Sequence, residues 1–320
     1  MEELRSRIVL YSGFILAFSG LAGIFSGLEP LASFAAPLLW WAYITLSDSL
    51  LLSLKGESLM VSRTDDFLWM AACSAAAWLV LEAVNAGLGV WQYINLPAQA
   101  GTRWAWYLGL GSAMLPALHQ SAAYLSPVKP AKSAPAPLRL SERALDGMQA
   151  AGVLFFFLPF FFPRLAFPLA ALALPLILDP LNFRLKVPSL LGLLERGERG
   201  KIAALAAAGL VCGLAGEAWL YAGGPSRVYD LGYAGGPPFM SLPLAGYAAF
   251  PFLAFAAFSL YSLALFARGG GAGILGEEIR AGGARPAWLP PAAYAALFLI
   301  YYAGVLLVDA RSAALLTFLH

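Results

Sequence analysis

The stretch Asp179-Pro-Leu-Asn-Phe-Arg-Leu-Lys186-Val-Pro-Ser189-Leu repeats an earlier one, Asp48-Ser-Leu-Leu-Leu-Ser-Leu-Lys55-Gly-Glu-Ser58-Leu, and six of the twelve positions are identical. An offset of 131 carries Asp48, Lys55 and Ser58 onto Asp179, Lys186 and Ser189; an offset of 135 carries Glu82, Gly111 and Pro116 onto Glu217, Gly246 and Pro251. Four extra residues in the second loop reconcile the offsets. The chain reads as a tandem duplication.

The duplicated unit is a membrane one. Of the 320 residues, 60% are hydrophobic and 12% charged, and the mean hydropathy is +0.73, against about 25% charged in soluble domains. A net charge of +2 excludes a nucleic-acid partner in this reading, because the basic residues fall in short clusters between apolar runs. Cys73 and Cys212 lie inside apolar runs and read as small hydrophobes. The first apolar run, after Arg5 and Arg7, lacks a small-residue cleavage site and reads as a retained span.

About 30 Å of hydrocarbon at 1.5 Å per residue requires about 20 apolar residues. Nine such runs fall near 8–27, 30–54, 67–90, 104–125, 145–162, 165–183, 202–222, 239–266 and 290–310. Pro159, Pro163, Pro168 and Pro175 leave open whether the fifth and sixth are full helices or a broken pair. With the N-terminus inside, sixteen of the 20 Lys and Arg lie on the inner side, and only Arg103, Arg164, Arg227 and Arg311 on the outer. That bias is the positive-inside rule. The expectation is an all-α integral membrane protein of the bacterial cytoplasmic membrane, multi-pass, with the N-terminus cytoplasmic and the C-terminus outside. Its organisation is a first four-helix repeat (1–125), a Pro/Ala/Lys linker (126–142), a second, parallel four-helix repeat (143–267), a flexible Gly-rich cytoplasmic loop (268–289), and a ninth helix with tail (290–320).

Glu82 and Glu217 are the only acidic side chains inside the spans away from their ends, and they occupy equivalent positions. A charge in the bilayer costs about 2.5–3.5 kcal/mol, so such groups face a cavity or a partner. They read either as a general acid or as hydrogen-bonded helix contacts. Asn85 shares the face of Glu82, whereas its counterpart is Leu220. Trp91, Tyr93, Arg227 and Tyr229 follow just outside, with Trp104, Trp106, Tyr107 and Tyr233 nearby; they form either an interfacial belt or an aromatic mouth over a substrate site. His119 joins the substrate-binding candidates as a packed or pore-lining histidine. One histidine builds no metal or haem site, and neither metal nor cofactor is expected. The inner group of Asp48, Lys55, Ser58, Asp179, Arg184, Lys186 and Ser189 reads as helix stops and caps, or as two sites for a lipid phosphate or other anion. Gly209-Leu-Val-Cys-Gly213 and Gly23-Ile-Phe-Ser-Gly27 predict close helix packing.

The pattern Trp40-Trp41, Asp48, Lys55-x-x-Ser58, Leu81-Glu82-Ala-x-Asn85, Trp91-x-Tyr93-x-Asn-Leu-Pro97 and Leu115-Pro116, echoed by Asp179-Pro-Leu-Asn182, Lys186-x-x-Ser189, Gly216-Glu217, Tyr229 and Pro243-Leu-x-Gly-Tyr247, resembles a group of uncharacterised bacterial polytopic membrane proteins. The resemblance covers spans two to eight. Where it implies further carboxylates after the prolines, this chain has Gln120 and Ala256. The chain is also similar, more distantly, to membrane-embedded lycopene cyclases and carotenoid hydratases, but Leu244 and Ala245 stand after Pro243 in place of that family's paired glutamates. Three readings follow: a membrane-embedded enzyme or binding protein acting on a lipid or isoprenoid through Glu82 or Glu217; a small-solute carrier; and a non-catalytic subunit or scaffold. The partners expected are membrane lipids and a membrane protein or second copy of the chain.

Overall fold

The structure, a computed structural model, describes residues 2–126, 140–162, 166–231, 237–279 and 286–318. Most of the predicted linker and Tyr233 lie outside the described residues. In chain order the first part comprises α1 (Glu2–Ser26), α2 (Ala35–Lys55), α3 (Leu59–Ser62), α4 (Thr64–Leu88), β1 (Trp91–Ile94), α5 (Ala100–Gly111) and α6 (Met114–Leu125). The second comprises α7 (Glu142–Phe161), α8 (Ala166–Arg184), α9 (Leu190–Glu195), α10 (Arg199–Ala222), β2 (Ser226–Tyr229), β3 (Pro238–Phe239), β4 (Leu242–Pro243), a 3-10 turn (Leu244–Ala248) and α11 (Ala249–Arg268). A hairpin of β5 (Gly271–Ala272) and β6 (Glu278–Ile279) leads to α12 (Leu289–Phe318). Among the described residues, seven helices are long and apolar enough to cross a membrane: α1, α2, α4, α7, α10, α11 with its 3-10 turn, and α12.

The two copies of the repeated stretch build matching corners. Helix α2 stops at Gly56, whose φ of 70° suits a residue without Cβ. Ser58 then caps α3, accepting from the Val61 amide at 2.8 Å. The buried Asp48, two turns back, accepts from the Ser58 hydroxyl and from the Leu59 amide at 3.1 Å. After α8, Lys186 takes the left-handed turn at φ 57°, and the Val187 amide returns to the Asn182 carbonyl. Ser189 caps α9 through the Gly192 amide at 3.0 Å, and Asp179 accepts from the Leu190 and Leu191 amides at 2.7 and 2.9 Å. Each carboxylate thus satisfies helix-start amides that have no partner within their own helix.

Several sequence expectations need correcting. The question the prolines left open is answered where they are described: α7 runs on through Pro159 and α8 through Pro175 and Pro180, while Pro163 lies outside the described residues. The break falls in the predicted fourth span, between α5 and α6 at Ser112–Ala113. There Pro116, in the first turn of α6, has no amide to return to Ser112. Ser74 of α4 closes the gap, its hydroxyl donating to the Gly111 carbonyl at 2.5 Å and accepting from the Leu115 amide at 3.0 Å. The predicted eighth span begins with strands and a 3-10 turn, α-helix starting only at Ala249. Within the supposedly flexible loop, Gly271–Ile279 is a hairpin with a buried tip. Gly209 and Gly213 do pack closely, against Phe250 and Ala254 of α11, and Gly23 against Leu31. Gly27 instead ends α1 at φ 66° with open space around it.

Candidate functional site

Glu82 and Glu217 sit within two turns of the ends of α4 and α10, and the strand after each helix folds back over its carboxylate. Strands β1 and β2 pair antiparallel, placing Trp91 opposite Tyr229 and Tyr93 opposite Arg227. This pairing brings both acids into one network. The Trp91 indole N–H donates to both oxygens of Glu82 at 3.1 Å, and the Tyr93 hydroxyl donates to Oε1 at 2.7 Å. Across the strands, the Tyr229 hydroxyl and Nη1 of Arg227 donate to Glu217 Oε1 at 2.6 and 2.9 Å. Nη2 of Arg227 donates to the Tyr93 oxygen at 2.7 Å and joins the two halves of the network. The guanidinium also lies 5.1–5.8 Å from the ring centres of Trp91, Tyr93 and Tyr229, within cation–π range.

Burial governs the electrostatics. It pushes the phenols of Tyr93 and Tyr229 above their ordinary range, which keeps both as neutral donors to the carboxylates. Burial also opposes the charge on Arg227, but the surrounding Tyr229, Tyr93, Glu217 and Glu82 outweigh it and hold the guanidinium protonated. Glu82 and Glu217 are 5% and 2% exposed. One cation therefore sits between the two buried acids, bonded directly to Glu217 and reaching Glu82 through Tyr93, while Oε2 of Glu217 and Nε of Arg227 have no hydrogen-bond partner among the described residues.

Asn85 is a clamp for the strand, donating to the Trp91 carbonyl at 2.9 Å and accepting from its amide at 3.1 Å. Leu220, its counterpart, is buried without such a role, which is the asymmetry the sequence carried. The cavity touching Glu82 holds about 20 Å³ and is lined by Asn85, Trp91, Tyr93, Arg311 and Ser312. That is room for about one water. A larger, open and mostly apolar surface groove of about 380 Å³ lies at the α5–α6 break, between Trp41, Ala71, Ala75, Gly109, Ser112 and Tyr301.

The remaining candidates stand apart from this network. His119 donates through Nδ1 to the Ile274 carbonyl of the β5–β6 hairpin at 2.9 Å. Lys55 reaches the Ala123 carbonyl at 2.6 Å. Arg184 binds Glu142, Asp146 and Gln149 on α7. Asp48, Ser58, Asp179 and Ser189 are committed to the two corners, and Lys186 holds the left-handed turn. Among the described residues no group of three His, Cys, Asp or Glu side chains is placed to hold a metal.

Sequence reasoning missed the part played by α12. Asp309 accepts from Arg103 of α5 at 2.6 and 3.1 Å, and Arg311 donates to the Asn85 and Ala86 carbonyls at the end of α4. A cation there is favoured by the helix dipole. The one signal in the sequence is Asp309 itself, an acid near the end of an otherwise apolar run. Tyr301 adds a bond to the Ala72 carbonyl at 2.6 Å, and Tyr294 stacks edge-on against Trp69 at 5.0 Å.

Comparison of the chain with known protein families, with curated proteins and with solved structures finds no match. Fold and site together define a class: an all-α protein with seven helices suited to a bilayer and a buried Glu–Tyr–Arg–Tyr–Glu network at one end.

Proposed function

We propose that this is a multi-pass protein of the bacterial cytoplasmic membrane that acts as a non-catalytic subunit or scaffold. In this reading α5 with α6, and α8, add two crossings to the seven apolar helices. The nine form two parallel four-helix repeats and a ninth helix. Matching Asp–Ser corners and matching prolines, Pro116 third in α6 and Pro251 third in α11, support the repeat. The distribution of Lys and Arg supports a cytoplasmic N-terminus. The partner is another membrane protein or a second copy of the chain.

The observation that carries the non-catalytic role is the lack of room for a substrate at the acids. Glu82 receives donors from Trp91 and Tyr93, Glu217 receives Tyr229 and Arg227 on Oε1 alone, and the space beside Glu82 is about 20 Å³. An acid or base acting on a lipid needs a substrate atom within hydrogen-bond reach. The test compares wild type with the Glu82→Gln, Glu217→Gln double variant in mild detergent, by mass spectrometry of co-purifying lipids and by thermal unfolding. Identical extracts and an earlier unfolding transition are expected. A lipid or isoprenoid present in wild type and altered or lost in the variant favours the enzyme.

A second reading, binding of one acyl or prenyl chain against the surface without chemistry, is favoured by the open apolar groove of about 380 Å³. Ala75→Trp fills it, and loss of a specific lipid from that variant alone assigns the groove and not the glutamates.

A further inference from the structure

After α11 the chain runs Arg268-Gly-Gly-Gly-Ala-Gly-Ile-Leu-Gly-Glu-Glu-Ile279. Gly269, Gly270 and Gly271 take φ values of 118°, 125° and 140°, backbone that L side chains avoid. The ladder beyond them is two residues long on each strand, Gly271 facing Ile279 and Ala272 facing Glu278. A hairpin that short is not stable alone. It is held by burial of Ala272 and Ile279 on its strands and of Ile274 and Leu275 at its tip, all within the same core as Phe258 and Tyr261.

The ties of this hairpin are unequal. Its root is firm, because Arg268 donates to Asp66 at 2.8 Å and lies over the Trp69 ring at 5.4 Å. At its tip the His119 Nδ1–H donates to the Ile274 carbonyl. Among the described residues its rim carries one ion pair, Arg63 to Glu278 at 3.4 Å, with both side chains exposed. Pairs of that kind contribute little. One burden acts on the closed form: Oε1 of Glu277 is buried with no hydrogen-bond partner among the described residues.

We propose that Gly269–Ile279 is a removable plug, which swings about Gly269 and Gly270, withdraws Ala272, Ile274, Leu275 and Ile279 from the core and frees His119, half-buried while the plug is seated, from the Ile274 carbonyl. Root and hinge are adjacent, so the movement leaves α11 in place. The plug belongs to the second half of the chain and His119 to the first, so its release loosens the two halves at the end of the bundle opposite the glutamate network. The inference is independent of the scaffold reading.

The test uses full-length protein in lipid nanodiscs. Hydrogen exchange by mass spectrometry is read over 271–279 and over 255–265 of α11, and carbethoxylation of His119 by diethyl pyrocarbonate is read on its own peptide. Exchange in the hairpin at least tenfold faster than in α11 is expected, together with labelling of His119 that rises several-fold in Leu275→Ala, which trims the inserted tip and leaves the helices unchanged. Hairpin exchange as slow as that of α11, or His119 labelling that Leu275→Ala does not change, overturns the plug and makes the hairpin a fixed part of the fold.

Discussion

The hydroxyl of Tyr93 is bonded on both sides, donating to Glu82 at 2.7 Å and accepting from Arg227 at 2.7 Å. One phenol therefore joins a carboxylate of α4 to a guanidinium 134 positions further along the chain. Tyr93→Phe removes that oxygen and little else. Glu82 keeps Trp91 and Arg227 keeps Glu217, but each loses one buried partner. A loss of about 1–3 kcal/mol is expected, measured by thermal unfolding in detergent; unchanged stability would show that each half holds itself without the junction.

The buried pair Arg103–Asp309 ties α12 to α5, with side chains 6% and 14% exposed. Removing either partner strands a charge, so Arg103→Ala and Asp309→Ala should each destabilise by about 3–5 kcal/mol. The double variant should lose clearly less than the sum. A double-mutant cycle on unfolding free energies reads the coupling, and strictly additive losses refute the pair.

Gly213 faces the ring of Phe250, and Gly209 faces Ala254 with no room for a methyl group. Gly213→Leu should separate α10 from α11 and prevent recovery of folded protein, while Gly27→Ala, at a helix end with open space, should be limited to the modest strain of its positive φ. Size-exclusion profiles of the two variants distinguish these outcomes. Equal recovery of folded protein contradicts the packing.

Burial raises the carboxyl of Glu277 above its ordinary value, against the opposing pull of the Leu275 amide, Lys201 and Arg196. Its neighbour Glu278, the first residue of β6, is exposed. The closed hairpin therefore binds this proton more tightly than the open one. Closure is favoured at acidic pH and weakens as pH rises from the ordinary carboxylate value, about 4.3, through the raised one. Hairpin amide protection, corrected for intrinsic exchange rates, should fall across that interval in wild type. It should stay flat in Glu277→Gln; a parallel fall in both assigns the dependence to another group.

Much of the site was legible because its signals are local. Two acids at equivalent places in apolar runs, each followed by aromatic residues, are visible along the chain. The Asp–Ser corners are also short-range, since helix stop and cap lie within about a dozen residues. Continuity at the prolines was not legible: whether Pro159 and Pro175 break a helix depends on neighbouring helices that make up the missing bonds. The break at Ser112 has the same character, because its remedy is Ser74, on a different helix.

The amino-acid sequence by itself determined that this chain is an all-α protein with helices fit for a bilayer, for the plain reason that burial of backbone polar groups in hydrocarbon leaves few other solutions to so apolar a chain. It also marked Glu82 and Glu217 as acids inside those helices. Only the tertiary structure decided what they meet. The pairing of β1 with β2, the reach of Arg227 to Tyr93 and the return of α12 onto Arg103 join residues more than a hundred positions apart. Such contacts carry no periodicity of their own and exist only once the helices are packed.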